Sequence, residues 1–178
     1  MTTVFDVAVI IVNYNSGAYL DRCLQALAVQ SVRPRQVIVV DNASHDGSAD
    51  QAERAYPGLC VIRCPDNHGF AGANNRAVAQ SAATEWLVLL NPDAFPAPDW
   101  LAALRQATQD QPRYALFGCR LLDAANPERL DGVGDGYHAS GLAWRRGHGE
   151  VAAGRHMQGA EIFAPCAAAA LYRRTAFL

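Results

Sequence analysis

The chain has 178 residues and a mass of 19.1 kDa, the size of one domain with room for a core. Hydrophobic residues make up 51% of it and charged residues 18%, which excludes a disordered chain. The 15 basic and 17 acidic residues nearly cancel, leaving −2 and a pI near 6.2, so no field for a nucleic-acid backbone is implied.

In chain order, the apolar run 7–12 is continuous rather than alternating, as a strand buried on both faces requires. It is too short for a signal-sequence core or a membrane span, so no integral membrane segment is expected. Ser16 is placed to cap a helix in which Leu20, Cys23, Leu24, Leu27 and Ala28 recur at helical spacing, with Arg33-Pro34 ending it. A second strand is predicted over 36–40, a short helix over 48–56 and a third strand over 59–64. A helix rich in small residues follows over 69–83, then a strand over 85–90, a helix over 99–110 and a strand over 114–119. This alternation predicts an α/β protein, a doubly wound and mostly parallel sheet. From 121 to 157 glycines and polar residues break any period, which reads as irregular strands and loops walling a cleft. Residues 161–172 return to an apolar strand, and the chain then stops on an unfinished apolar segment, as a truncated chain would.

All 15 basic residues are Arg, so a Walker lysine and a Schiff-base lysine are absent. Five scattered cysteines, with Cys60 and Cys64 spaced as neither a zinc nor a thioredoxin motif, predict reduced, packed thiols and a cytosolic setting. The five histidines lie without ligand spacing, and no GxGxxG, GxSxG or HExxH motif occurs.

Ligands of open α/β sheets sit beyond the carboxyl ends of the strands. Four successive strand ends here carry Asn or Asp: Asn13-Tyr14-Asn15, Asp41-Asn42, the run 65–75 from Pro65 to Asn75, and Asn91-Pro92-Asp93. Asx residues also build turns, but four such ends on one edge point to a polar ligand. A nucleoside diphosphate fits: Asp41 can accept from ribose hydroxyls or a base N–H. Gly69 and Gly72 let backbone approach a ligand, and the next helix N-terminus favours phosphate. Asp93 is a hard oxygen ligand for Mg²⁺ or Mn²⁺, an ion that neutralises charge on a departing diphosphate. The alternative for Asp93 is an N-cap or Asx turn before the helix at 99.

The segments Val-Ile-Ile-Val-Asn-Tyr-Asn at 9–15, Val-Asp-Asn-Ala-Ser at 40–44, Asn67-x-Gly-Phe-Ala-Gly-Ala-Asn-Asn75 and Leu-Leu-Asn-Pro-Asp-Ala at 89–94 resemble family 2 glycosyltransferases, closest to the rhamnosyltransferase-like members. The run from Cys166 to Arg174 resembles that family's small-residue strand and Arg pair, so the resemblance spans essentially the whole chain. It implies a GT-A fold, Rossmann-like with helices on both faces of the sheet, and inverting transfer from a UDP- or dTDP-sugar to an acceptor hydroxyl. It also implies a Mg²⁺ or Mn²⁺ cofactor and a glycan or lipid-linked acceptor in surface-polysaccharide synthesis. Carried over by position, Val12, Asn13 and Tyr14 would frame the base, and Asp41 and Asn42 would hold base or ribose. Gly72 and Asn75 would face the nucleotide, and Asp93 would take the last place of the DxD-like metal motif.

Asn91 stands where that motif's first Asp would be, leaving one carboxylate and a weaker hold on metal. The family's general base lies in an acidic stretch after the small-residue strand, so it is expected beyond Leu178. Asp131 and Asp135, the carboxylates of the glycine-rich wall, have only their location in favour of that role. The expectation is therefore one incomplete GT-A domain, with 1–120 its donor-binding half and 121–178 the start of its acceptor side. Such a piece would bind donor without turnover, and uncovered apolar surface would favour a homodimer. A cytoplasmic protein, peripheral at the inner face of the membrane, is implied. The rival is a nucleotide-sugar-binding module without catalysis. A nucleotidyltransferase fits poorly, because 12–19 carries no basic residue to grip a triphosphate.

Overall fold

A computed structural model describes residues 3–178. Its central sheet has six strands: β1 (Val4–Asn13), β2 (Arg33–Asp41), β3 (Cys60–Arg63), β4 (Trp86–Leu90), β5 (Leu116–Gly118) and, last in the chain, β10 (Ala169–Arg173). They lie in the order β3-β2-β1-β4-β10-β5. β1 pairs in parallel with β2 and β4, and β2 with β3; β10 runs antiparallel to both β4 and β5. The mostly parallel sheet is therefore as expected, with one reversed strand wedged inside it.

The alternation that builds it comes from α1 (Ala18–Ala28), α2 (Ser48–Ala55), α3 (Gly69–Gln80) and α4 (Trp100–Asp110), with a final turn α5 (Arg174–Phe177). On one face Leu20, Cys23, Leu24 and Leu27 of α1 and Leu101 and Leu104 of α4 bury against Val7, Val9, Ile11 and Val88. On the other, Ala73, Ala77 and Val78 of α3 pack on Ala8, Ile10, Ile38, Val40, Leu87 and Leu89. Alternate residues of β1 thus feed opposite cores, which is why its sequence shows no polar alternation.

Several elements differ from the sequence expectation. The strand expected over 161–172 is only β10. The residues before it cross the end of β5 as extended chain, where a Cβ on Gly118 would meet Ile162 and Pro165. The strand expected over 114–119 shortens to β5, which pairs with β10 and not with β4. Ser16 is not the cap of α1: that position is Gly17, at φ 52, and its N–H is held by Asp46. Arg33 and Pro34 do not end the helix but open β2. Pro34 faces Phe5 of β1 there, and β3 joins β2 only from Ile38 onward, so the missing N–H leaves no gap in the ladder. The glycine-rich wall is more regular than expected. It forms two antiparallel pairs, β6 (Leu121–Leu122) with β7 (Leu130–Gly132) and β8 (Asp135–Tyr137) with β9 (Ala143–Arg145). All five cysteines are free, as predicted.

Candidate donor site

Strand register brings the four polar ends to one edge. Asn13 of β1 stands opposite Asp41 of β2, and Asp41 opposite Arg63 of β3; Ile11 stands opposite Leu90, one residue before Asn91. All of these strands run the same way, so their last residues open on the same side.

The Asx residues there divide into two kinds. Asn13 is fully buried, and its amide N–H₂ donates among Ser48 Oγ (3.0 Å), Ser44 Oγ (3.1 Å) and Asp41 Oδ1 (3.4 Å). Its side chain is spent on bracing Asp41. Asn42, 2% exposed, donates to Asn67 Oδ1 (2.8 Å) and accepts from the His68 N–H (2.9 Å), so it ties the end of β2 to the entry of α3. Asn67 in turn accepts from the N–H of Gly69, a residue at φ 69 that glycine enters without steric cost. Asp46 closes the opposite side, accepting from the Gly17 N–H (2.8 Å), the Ser48 N–H (3.0 Å) and Ser48 Oγ (2.6 Å). Burial raises the Asp46 pKa, but these donors outweigh it and hold the carboxyl below its usual range. Asn67, Ser44, Ser48 and Asp46 escaped the sequence reading as braces; the signal was the density of Asx and Ser within 41–48.

The second kind is free to meet a ligand. Asp41 uses Oδ1 on the Ser44 N–H (3.2 Å) and on Asn13, and Oδ2 has no protein partner among the described residues. Beside it, a cavity of about 210 Å³ is lined by Asp41, Ser44, His45, Gly47, Ala49 and Asp50. Tyr14 exposes half its ring, and Val12 is half-buried behind it. Ala43, between Asn42 and Ser44, holds φ 67, a left-handed conformation that the braces on either side impose on a non-glycine residue.

Asp93 is exposed and makes no hydrogen bond or ion pair among the described residues, and α4 starts from Asp99 without a side-chain cap. The cap and Asx-turn readings of Asp93 therefore fail. Its loop is clasped from α1 and the turn after it: Phe95 stacks on Tyr19 (6.3 Å between centroids) and lies under Arg22 (3.9 Å), and Gln30, just past the helix, donates to the Ala97 carbonyl (2.7 Å). Beneath it, burial and then the Asp93 charge push the Cys23 thiol up to about 12, and that thiol points at the Asn91 carbonyl. The Asn91 backbone N–H donates to the Ala168 carbonyl (2.8 Å), while its side-chain amide has no partner among the described residues. A hard carboxylate oxygen and, two residues before it in the chain, an amide oxygen, neither with a partner among the described residues, are donors of the kind a divalent cation takes. Among the described residues no three His, Cys, Asp or Glu side chains gather into a metal cage, so most ligands of such an ion must come from elsewhere.

On α3, Gly72 meets His68, where a Cβ would come within 3.1 Å. Asn75 lies on the exposed side of the helix, whereas its neighbour Asn74 is buried, with Oδ1 unpartnered among the described residues. In the glycine-rich wall Asp131 is engaged by Arg145 at 2.8 and 3.0 Å.

The comparisons agree with this architecture. The chain is 30% identical over 125 residues to the N-acetylglucosaminyl-diphospho-decaprenol L-rhamnosyltransferase of Mycobacterium tuberculosis, covering 65% of this chain and 41% of that protein. The mannosyltransferase PcManGT of Pyrobaculum calidifontis, solved with GDP-Man and Mn²⁺, superposes with a TM-score of 0.56 at 26% identity, over 65% of this chain and 35% of that one. S. aureus TarS 1–349, solved with UDP-GlcNAc, shares the fold with a TM-score of 0.57 at 22% identity, over 65% of this chain and 34% of that one. The chain thus spans well under half the length of these relatives. The family described as Glycosyl transferase family 2 matches residues 8–178, from the interior of β1 through the last turn α5. On that match and on its GT-A sheet, the chain belongs to glycosyl transferase family 2.

Proposed function

We propose that this edge binds a nucleoside-diphosphate sugar, UDP- or dTDP-linked, as donor for inverting transfer to an acceptor hydroxyl. One observation carries the reading: at an edge where buried Asn13 and Asn42 are held by Ser44, Ser48 and Asn67, the Asp93 carboxylate and Asp41 Oδ2 are left without partners among the described residues. Asp41 Oδ2 would accept from a base N–H or a ribose hydroxyl, with the Tyr14 ring beside it. Asp93, with the Asn91 amide oxygen, would hold Mg²⁺ or Mn²⁺. When bound, that ion supplies positive charge to the departing diphosphate. With one carboxylate present, the ion and the nucleotide should bind together and each weakly alone. The Mn²⁺ and GDP-Man held by the P. calidifontis relative support the pairing of ion and donor. The name of the M. tuberculosis relative supports rhamnose as the sugar and a lipid-linked diphosphate glycan as acceptor. We place the acceptor base outside residues 1–178, in the acidic stretch that the family resemblance puts after the small-residue strand.

The test is thermal unfolding with UDP, dTDP, GDP and AMP, each with and without Mn²⁺. A ligand at a hundred times its Kd stabilises by about 2.7 kcal/mol. A Mn²⁺-dependent rise with UDP or dTDP, absent in Asp93→Ala whose own melting is unchanged, is the expected result. No rise with any nucleotide refutes the donor site.

A further inference from the structure

We propose that Asn15 is a positioning residue of the candidate donor site, holding the Tyr14 ring in place relative to Asp41. The loops that follow β1 and β2 are laced together past the last residues of both strands. The Asn15 N–H donates to Ser44 Oγ (3.1 Å), the His45 N–H donates to Asn15 Oδ1 (2.8 Å), and the Gly17 N–H donates to Asp46 Oδ2 (2.8 Å). Asn15 therefore engages the opposite loop twice, once through its backbone and once through its side chain.

The position makes two demands at once. Asn15 holds φ 51, in the left-handed region that Asn and Asp enter at lower cost than other side chains. It must also present an acceptor to the His45 N–H. Alanine would meet neither demand. Glycine would take the conformation freely but leave that N–H without its acceptor, and aspartate would meet both.

What the lacing fixes is Tyr14. Its ring is 51% exposed and makes no aromatic stack, cation–π contact or hydroxyl hydrogen bond among the described residues, so its backbone chiefly sets its place. That backbone is pinned on both sides: the Asn13 carbonyl accepts from the Asn42 N–H (2.8 Å), and Asn15 is held as described. Ser44 joins these pins to Asp41. Its N–H donates to Asp41 Oδ1 (3.2 Å), while its Oγ accepts from Asn13 Nδ2 and from the Asn15 N–H (both 3.1 Å). Tyr14, just past β1, and Asp41, at the end of β2, thus sit on one hydrogen-bonded frame. A nucleotide that touches both has neither loop to order, and ordering avoided appears as affinity.

The assignment rests on the donor reading above, and the experiment separates the two. UDP and dTDP, each with excess Mn²⁺, are titrated calorimetrically into wild type, Asn15→Gly, Tyr14→Ala and the double variant, all with unchanged circular dichroism spectra. Asn15→Gly should weaken binding about five- to tenfold, the equivalent of one lost tie. Tyr14→Ala should weaken it at least as much. The double variant should bind no more weakly than Tyr14→Ala alone, because Asn15 acts through the ring. Amide hydrogen exchange is followed by NMR in parallel. The His45 amide should exchange roughly tenfold or more faster in Asn15→Gly than in wild type, and Asn15→Asp, which keeps the acceptor, should restore the wild-type rate. If wild type binds neither nucleotide, the donor site is refuted and the assignment falls with it. If wild type binds and Asn15→Gly or Tyr14→Ala binds equally well, the assignment fails alone. Losses that add in the double variant also overturn it, as does a His45 amide that exchanges equally in wild type and Asn15→Gly.

Discussion

Asn42→Ala tests whether the candidate site is braced internally before any ligand arrives. The side chain is 2% exposed and joins two loops through its bonds to Asn67 and His68. Removing it leaves the His68 N–H without its acceptor and strips one of two donors from Asn67 Oδ1. His68 and Asn67 both lie at the surface, so water repairs part of the loss. The cost should therefore fall in the middle of the range for an orphaned buried group, about 2 kcal/mol. For a domain of this length that corresponds to a melting temperature lower by about 4–8 °C. The assay is thermal unfolding of wild type, Asn42→Ala and Asn67→Ala. Asn67→Ala should cost a similar amount, because it leaves the buried Asn42 Nδ2 with only a 3.4 Å contact to the Gly69 carbonyl. If Asn42→Ala melts within a degree of wild type, the β2–α3 tie contributes nothing and the bracing argument is wrong.

Further expectations concern the rest of the frame. Arg174, partly buried, donates to the carbonyls of Ala82 (2.6 Å) and Thr84 (2.8 Å) and to Ser81 Oγ (2.8 Å), so Arg174→Met should cost about 2–4 kcal/mol in urea unfolding; Arg174→Lys, lacking the fork, should recover less than half. Asp46 has a depressed carboxyl pKa when folded, so its contribution is present above the unfolded value near 4 and is lost as pH falls through the lower folded value. Melting curves should accordingly separate wild type from Asp46→Asn at pH 6 and converge as the solution is acidified below about 4. Leu101→Ala empties a fully buried position under α4 and should cost about 2–5 kcal/mol in the same unfolding assay, with the Mn²⁺-dependent nucleotide response retained.

The fold was legible wherever one residue decided its own environment. The run 7–12 had to be buried on both faces because no residue in it tolerates water, and the α1 stripe from Leu20 to Leu27 had one apolar side to hide. Partner choice was not legible. Ala169 to Tyr172 read equally well as parallel or antiparallel, since small residues pack against either neighbour, and only the crossing of 162–165 over Gly118 delivers β10 reversed between β4 and β5. The candidate site divides in the same way. That Asx residues line one edge follows from chain order, but an amide that braces and an amide that binds have the same composition. Asn13 and Asn42 point inward because serines and a backbone N–H wait for them there, whereas Asp93 points outward because the prolines on either side of its loop offer no donors. Asn74 and Asn75 are indistinguishable in sequence and differ only by the hundred degrees that separate neighbours on a helix.

The reversed strand also sets the order in which the domain can assemble. The ladders among β1 to β4 use nothing from beyond residue 90, and a chain emerging from its N-terminus can zip them into a four-stranded half-sheet. β5 is made next but shares no ladder with any of them, meeting β4 only through Phe117 against the Trp86 ring; its only partner in the sheet, β10, begins about fifty residues later, at Ala169. During synthesis β4 therefore waits as an open edge and β5 as an unpaired ribbon, until β10 closes both ladders at once. That step joins residues some eighty positions apart, Leu89 with Ala170, and is the long-range contact expected to limit the folding rate.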